Sequence, residues 1–190
     1  MQDGLFFLGE SGVGKSTLMR GLVSLCVGYH KPQMVMTRQP RTSDAPGDYE
    51  YVTVDEFLRL RESGQLSYAF DDGIRYYGYR REKLEVPSKA LLLYGSPYAV
   101  RQILAAKGRI ILIVGDSRKG LRLRGVTEAE LIERSTINGR LARRFYSTIA
   151  FRGLMDGIFE NPFTSLNVLC IAFDQLISRI LLSGKNEVYS

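Results

Sequence analysis

Residues 9–16, Gly9-Glu10-Ser11-Gly12-Val13-Gly14-Lys15-Ser16, bring three glycines, a lysine and a hydroxyl into one short run. The spacing fits Gly-x-x-x-x-Gly-Lys-Ser/Thr without a mismatch, and the chemistry of that pattern is the cradling of a polyphosphate. Glycines have no Cβ to block close backbone approach or positive φ, so N–H groups can converge on phosphate oxygens. A helix beginning at this point adds partial positive charge. Lys15 is placed to reach the terminal phosphates, and the Ser16 hydroxyl is a ligand for Mg2+. Gly9, Ser11, Gly12, Val13, Gly14, Lys15, Ser16 and Thr17 are the candidate binding residues for ATP, with Lys15 also catalytic and Ser16 the metal ligand.

A second cluster follows: Thr37-Arg38-Gln39-Pro40-Arg41, then Gly47-Asp48-Tyr49-Glu50-Tyr51, then Tyr76-Tyr77-Gly78. Two arginines close together on a loop can set two planar donor forks around one phosphate. Tyrosine hydroxyls are neutral donors suited to the rim of such a site. Arg38, Arg41, Tyr49 and Tyr77 are therefore candidates to hold a phosphorylated small-molecule acceptor. A third cluster lies between Asp116 and Arg144 and contains Arg118, Arg122, Arg124, Arg134, Arg140, Arg143 and Arg144. Phosphoryl transfer spreads charge over equatorial oxygens, and arginines closing over the site supply the stabilisation and exclude water. No acid–base group is required. The single histidine, His30, falls between a helix and a loop and reads as a surface residue.

The elements that must position these groups are legible in the hydrophobic pattern. Leu5–Leu8 is a short apolar run, a strand leading into the glycine loop, and Thr17–Val23 continues as a helix to about Cys26. Met34–Thr37 reads as a short strand, Arg38–Gly47 as loop, and Tyr49–Val54 as a strand. Thr53 or Asp55 caps a helix over Glu56–Ser63 that Gly64 ends. A hairpin joins Leu66–Phe70 to Ile74–Tyr79 through Asp71-Asp72-Gly73. Ala90–Tyr94 and Arg109–Val114 are continuous apolar runs, as parallel strands buried on both faces require, with a crossover helix over Pro97–Lys107. A long polar helix or helix pair is expected from Thr127 or Glu128 to Phe145, a last strand over Gly157–Glu160, and an amphipathic helix over Ser165–Leu182. Strands alternating with helices predict a three-layer α/β fold around a parallel sheet, interrupted by a β-rich insert.

The chain has 190 residues, which suits one domain. Its net charge of +6 favours anionic partners, and the concentration of arginines in one lid favours a nucleotide over nucleic acid. Cys26 and Cys170 sit in apolar segments and read as reduced core residues, so a cytoplasmic location is expected. No run is long and apolar enough to span a bilayer, and no membrane partner is expected. A monomer or a homodimer fits this composition equally.

The ordered set of Thr-Arg-x-Pro-Arg, Gly-Asp-Tyr and Tyr-Tyr-Gly behind the glycine loop resembles the guanylate kinases. The resemblance covers most of the chain. It implies a P-loop NTPase fold: a core of 1–36, 85–115 and 150–190, an acceptor-binding insert of 37–84, and a lid of 116–149. It implies transfer of the γ-phosphoryl of ATP to a nucleoside monophosphate, GMP or dGMP first, with Arg38, Arg41, Tyr49 and Tyr77 on the acceptor phosphate. In that family one lid arginine precedes a glycine, as Arg124 does here, and a second lies on the next helix. Arg134 fits the second by spacing and Arg140 by local sequence. The family's last strand ends in an asparagine near the donor adenine, which points to Asn161.

The base-reading residues depart from the family. Where guanylate kinases carry a glutamate that accepts from guanine, this chain has Ser67 or Tyr68, depending on a one-residue slip. Tyr79 follows Tyr-Tyr-Gly in place of Ser or Thr, and Leu93-Tyr94-Gly95-Ser96 stands at an Asp-rich strand end. Asp71 or Asp72 is a possible replacement carboxylate, though both suit a turn. The ribose 1,5-bisphosphate phosphokinases show a comparable drift and are an alternative reading. A non-catalytic guanylate kinase-like interaction domain is another, and the intact Lys15 and Ser16 weigh against it. A P-loop ATPase acting on nucleic acid lacks a Walker-B acid within the apolar strands, although Asp116 follows closely.

Overall fold

The computed structural model describes residues 4–42, 44–93, 100–105, 108–123, 125, 127 and 153–182. Five strands form one parallel sheet: β1 (Leu5–Leu8), β2 (Tyr29–His30), β7 (Lys89–Leu93), β8 (Arg109–Gly115) and β9 (Gly157–Asn161), in the order β2-β7-β1-β8-β9. Every pairing within it is parallel, with Phe6 opposite Leu92 on one side and Ile110 on the other. All four residues of β1 are fully buried, as a central strand covered on both faces demands.

Alternation along β1 sends its two phenylalanines to different layers. Phe7 meets Phe173 of α5 (Leu166–Leu182) at 5.2 Å between ring centroids, and Phe159 of β9 meets the same ring at 4.7 Å. Helix α1 (Lys15–Leu25) packs against α5 on this face. A Cβ on Gly21 would lie 2.5 Å from the Cys170 sulfur, so glycine is what lets the two helices approach. Phe6 faces the other layer, toward Ile103 of α3 (Val100–Ala105) and Tyr68 of the insert, whose ring stands edge-on at 4.8 Å.

The second sheet has the order β4-β3-β6-β5, from β3 (Met34–Met36), β4 (Tyr49–Tyr51), β5 (Leu66–Asp71) and β6 (Tyr76–Arg80). β3 runs parallel to β4 and antiparallel to β6, and β5 and β6 form the expected hairpin. Helix α2 (Val54–Glu62) covers one face with Phe57 and Leu60 over Val35 and Leu66. Thr53 is its cap, accepting from the Glu56 N–H at 3.2 Å. The other face, carrying Met34, Met36, Tyr49, Tyr51, Tyr77 and Tyr79, joins the main core. Asp48 fastens the insert to the parallel-sheet body: it is buried and takes charge-assisted bonds from Arg20 of α1 and from Lys31 at 2.8 Å.

Three elements depart from expectation. Met34–Met36 pairs only within the second sheet, so the strand grouped with the core up to residue 36 belongs structurally with the insert. Tyr29–His30 forms a short edge strand, and His30 is held by the Lys83 carbonyl and the Ser88 hydroxyl, each at 2.9 Å. Helix α4 (Ser117–Leu123) opens the segment read as lid, with Asp116 accepting the Lys119 N–H. The expected helix over 127–145 lies outside the described residues, as do 94–99. Cys26 and Cys170 are free thiols. Among the described residues no helix is long and apolar enough to cross a membrane.

Candidate active site

Sequence folds the loop between β1 and α1 into a cradle through its glycines. Gly9, Gly12 and Gly14 have φ of 145°, 95° and 92°, in the region that side chains rarely enter. Space demands glycine as well. A Cβ on Gly9 would lie 2.2 Å from the Ile113 carbonyl oxygen, and one on Gly12 would lie 2.3 Å from the Ser117 carbonyl oxygen. Gly120 of α4 makes the reciprocal approach: its Cβ would fall 1.8 Å from the Gly12 carbonyl oxygen. The sequence carried a signal for this last contact in a glycine inside a helical segment, which marks close backbone approach.

Lys15 and Ser16 open α1 and are both buried. The Lys15 ammonium donates to the carbonyls of Gly9 at 2.7 Å and Glu10 at 2.6 Å, which holds it across the loop. Ser11 and Thr17 are exposed, on the first turn of the loop and of the helix, and Val13 is buried beneath. The buried Asn161, at the end of β9, donates from Nδ2 to the Val13 carbonyl at 2.8 Å and accepts the Phe163 N–H on Oδ1 at 2.9 Å. Beyond it, at the C-terminal edges of β8 and β9, a cleft of about 700 Å³ is lined by Val114, Asp116, Lys119, Glu160, Asn161 and Phe163 among others. Ligands of open parallel sheets bind at such edges.

The acceptor candidates share one face of the insert. Register sets Tyr51 and Tyr77 on either side of Met36. Arg38 lies over the Tyr49 and Tyr51 rings, 5.1 and 5.5 Å from their centroids. Its fork pairs with Asp44, which also takes the Arg41 N–H at 2.7 Å and the Tyr51 hydroxyl at 2.5 Å. Burial pushes the Asp44 carboxyl up, but the bonds from Arg38, Tyr51 and the Arg41 N–H outweigh it and hold the group down at about 2. The same carboxylate keeps the Tyr51 phenol, already raised by burial, above its ordinary value. Tyr77 donates to Asp72 at 2.7 Å, and burial with that bond raises its phenol as well. Asp44 and Asp72 are thus partners of the site that the residue pattern alone did not single out.

Asp71 and Asp72 both serve the turn. Asp71 accepts from the Gly73 N–H, and Asp72 from the N–H groups of Ile74 and Arg75. Ser67 is buried in register with Tyr79, and Tyr68 follows at a bulge with φ of 50°. Among the described residues no group of histidine, cysteine and carboxylate side chains could hold a metal ion.

A family model described as "Ethanolamine utilisation - propanediol utilisation" (PduV-EutP) matches residues 2–59, the stretch containing the glycine loop. A guanylate kinase of Nitratidesulfovibrio vulgaris is 32% identical over 155 residues, covering 74% of this chain and 75% of that protein. The chain belongs to the guanylate kinase family. A guanylate kinase of Helicobacter pylori is 31% identical over 150 residues, covering 70% of each chain. The crystal structure of guanylate kinase from Anaplasma phagocytophilum superposes with a TM-score of 0.59 at 18% identity, over 94% of this chain and 87% of that one. The fold is therefore the α/β P-loop NTPase fold of guanylate kinases, with a parallel central sheet.

Against the guanylate kinase pattern, the glycine loop and the Arg38–Tyr77 face are described in full. The position of the base-reading glutamate falls on the Ser67–Tyr68 bulge. The lid candidates Arg124, Arg134 and Arg140 lie outside the described residues.

Proposed function

We propose that the chain is an ATP-dependent kinase that transfers the γ-phosphoryl group to a nucleoside monophosphate, with GMP or dGMP the first acceptors to test. The observation that carries this reading is Lys15. A buried ammonium crosses a loop whose glycines have no room for a Cβ, at the C-terminal edge of a parallel sheet. A non-catalytic interaction domain has no use for such a cradle.

In this scheme an oxygen of the acceptor phosphate attacks the γ-phosphorus in line, the bond to the β-γ bridging oxygen breaks, and ADP leaves. Lys15 and the loop N–H groups hold the β- and γ-phosphates. Arg38, Arg41, Tyr49 and Tyr77 hold the acceptor monoester, which competes with Asp44 for the Arg38 fork. Arg124, with Arg134 or Arg140, stabilises the charge on the moving group. The Ser16 hydroxyl in the first helical turn is a hard oxygen ligand suited to Mg2+, whose other ligands are phosphate oxygens and water. When bound, Mg2+ neutralises charge between the β- and γ-phosphates.

The second reading, a ribose 1,5-bisphosphate phosphokinase, is favoured by one observation. Tyr68, at the place of the base-reading carboxylate, packs edge-on against Phe6. Coupled ADP release measured with GMP, dGMP, AMP, UMP and ribose 1,5-bisphosphate separates the two. Turnover with GMP or dGMP supports the first reading, and turnover with the sugar bisphosphate alone replaces it with the second.

A further inference from the structure

We propose that Asn161 is a positioning residue for the phosphate-binding loop, its side-chain amide setting the direction in which the Gly14 N–H points. The proposal rests on the reading that this loop holds a polyphosphate. It assigns Asn161 to the phosphates and away from the donor base.

Asn161 belongs to a rigid element. It ends β9 in register with Gly115 of β8, and its side chain is buried. The orientation of its amide is fixed by its neighbours. The Phe163 N–H needs an acceptor and meets Oδ1 at 2.9 Å, which leaves Nδ2 to donate to the Val13 carbonyl at 2.8 Å. The Val13 carbonyl and the Gly14 N–H belong to one peptide unit, and none of the described peptides is cis. In a trans peptide the C=O and N–H point in opposite directions. Holding the carbonyl on Asn161 therefore turns the Gly14 N–H away from β9, to the side on which the loop receives its ligand.

Gly14 needs such a restraint. Its φ of 92° is left-handed, and glycine is the residue with the widest choice of alternatives. It also caps α1 with no side-chain hydrogen bond of its own. The clamp and the glycine fit each other closely: a Cβ on Gly14 would fall 2.4 Å from Asn161 Nδ2. Both polar ends of the amide are committed to backbone, one on each side of the loop–strand junction. The amide therefore acts on the orientation of a phosphate donor, with no dependence on the base the nucleotide carries.

The test compares wild type with Asn161→Asp and Asn161→Ser in the full chain, reading calorimetric affinity for ATP and for inorganic tripolyphosphate, which has no base. Asn161→Asp keeps the acceptor for Phe163 and sets an oxygen against the Val13 carbonyl. The expected result is a loss of about tenfold or more, equal for the two ligands, from one misaligned buried hydrogen bond. In turnover, KM for ATP rises while KM for the acceptor stays level, a split that general loosening of the fold would not produce. Asn161→Ser decides the matter if the aspartate variant does not fold, since it removes the amide without adding charge. A loss confined to ATP overturns the proposal in favour of base contact, and unchanged affinity for both ligands overturns it outright. A wild-type chain that takes up neither ligand overturns the loop reading itself, and this proposal with it.

Discussion

Arg38 and Asp44 meet as a two-pronged pair, NH1 on Oδ2 and NH2 on Oδ1, each at 2.7 Å. The carboxylate stands where the flat oxygens of a phosphate monoester would match the same fork. It gathers Arg38, the Arg41 backbone and the Tyr51 hydroxyl around one point, so the acceptor face is assembled around an internal anion.

That arrangement has a pH signature. The folded-state carboxyl of Asp44 lies at about 2, below its unfolded value, so its contribution to stability is present above the ordinary carboxylate pKa and disappears as pH falls through the folded value. Thermal melts of wild type and Asp44→Asn should differ above about pH 4 and converge toward pH 2. A gap that stays constant over that window would show that the Asp44 charge adds nothing.

Arg38→Lys keeps the charge and discards the fork. Acceptor KM should rise by about tenfold or more while KM for ATP moves little, since a point charge makes one bond where the guanidinium makes two. Arg41→Ala should shift in the same sense. Equal effects on both substrates would remove these arginines from the acceptor side.

Lys15→Ala should abolish ADP release, by a factor of about a hundred or more, without unfolding the chain. The circular dichroism melt is the control. The two carbonyls that Lys15 holds, of Gly9 and Glu10, remain open to water from the loop surface. Undiminished turnover would end the kinase reading.

Gly120→Ala pits helix propensity against space. Alanine in place of glycine inside a helix stabilises by about 1 kcal/mol. Here the new Cβ would sit 1.8 Å from the Gly12 carbonyl oxygen, which is backbone and cannot swing away. Overpacking of this kind costs about 1–3 kcal/mol and displaces α4 from the loop, so urea titration should show net destabilisation and ATP affinity should fall. A stabilised variant would mean that α4 does not bear on the loop.

Local patterns carried much of the fold. The continuous apolar runs at β1, β7 and β8 announced a parallel sheet, Thr53 announced the start of α2, and Asp71-Asp72-Gly73 announced the hairpin. The glycine loop could be read because each of its residue types is dictated by close backbone approach. What stayed hidden depends on partners far along the chain. Met34–Met36 looks like any short buried strand until β4 and β6 claim it. β2 is too short to show a period, and α4 is too polar to show an apolar face. Asp44 reads as an ordinary loop acid, and the hold of Asn161 on Val13 spans a separation that no motif encodes.

Phe6 and Phe7 are neighbours on β1, yet one ring supports Tyr68 of the acceptor sheet and the other supports Phe173 of the closing helix. Because strand side chains repeat every second residue, deleting or inserting a single amino acid in β1 would trade the two rings between layers. The same frameshift would drag Gly9 off the Ile113 carbonyl it nests against. Four residues thus act as a common keystone for substrate sheet, helical buttress and nucleotide loop, and length errors there should be far less tolerated than changes of side-chain type.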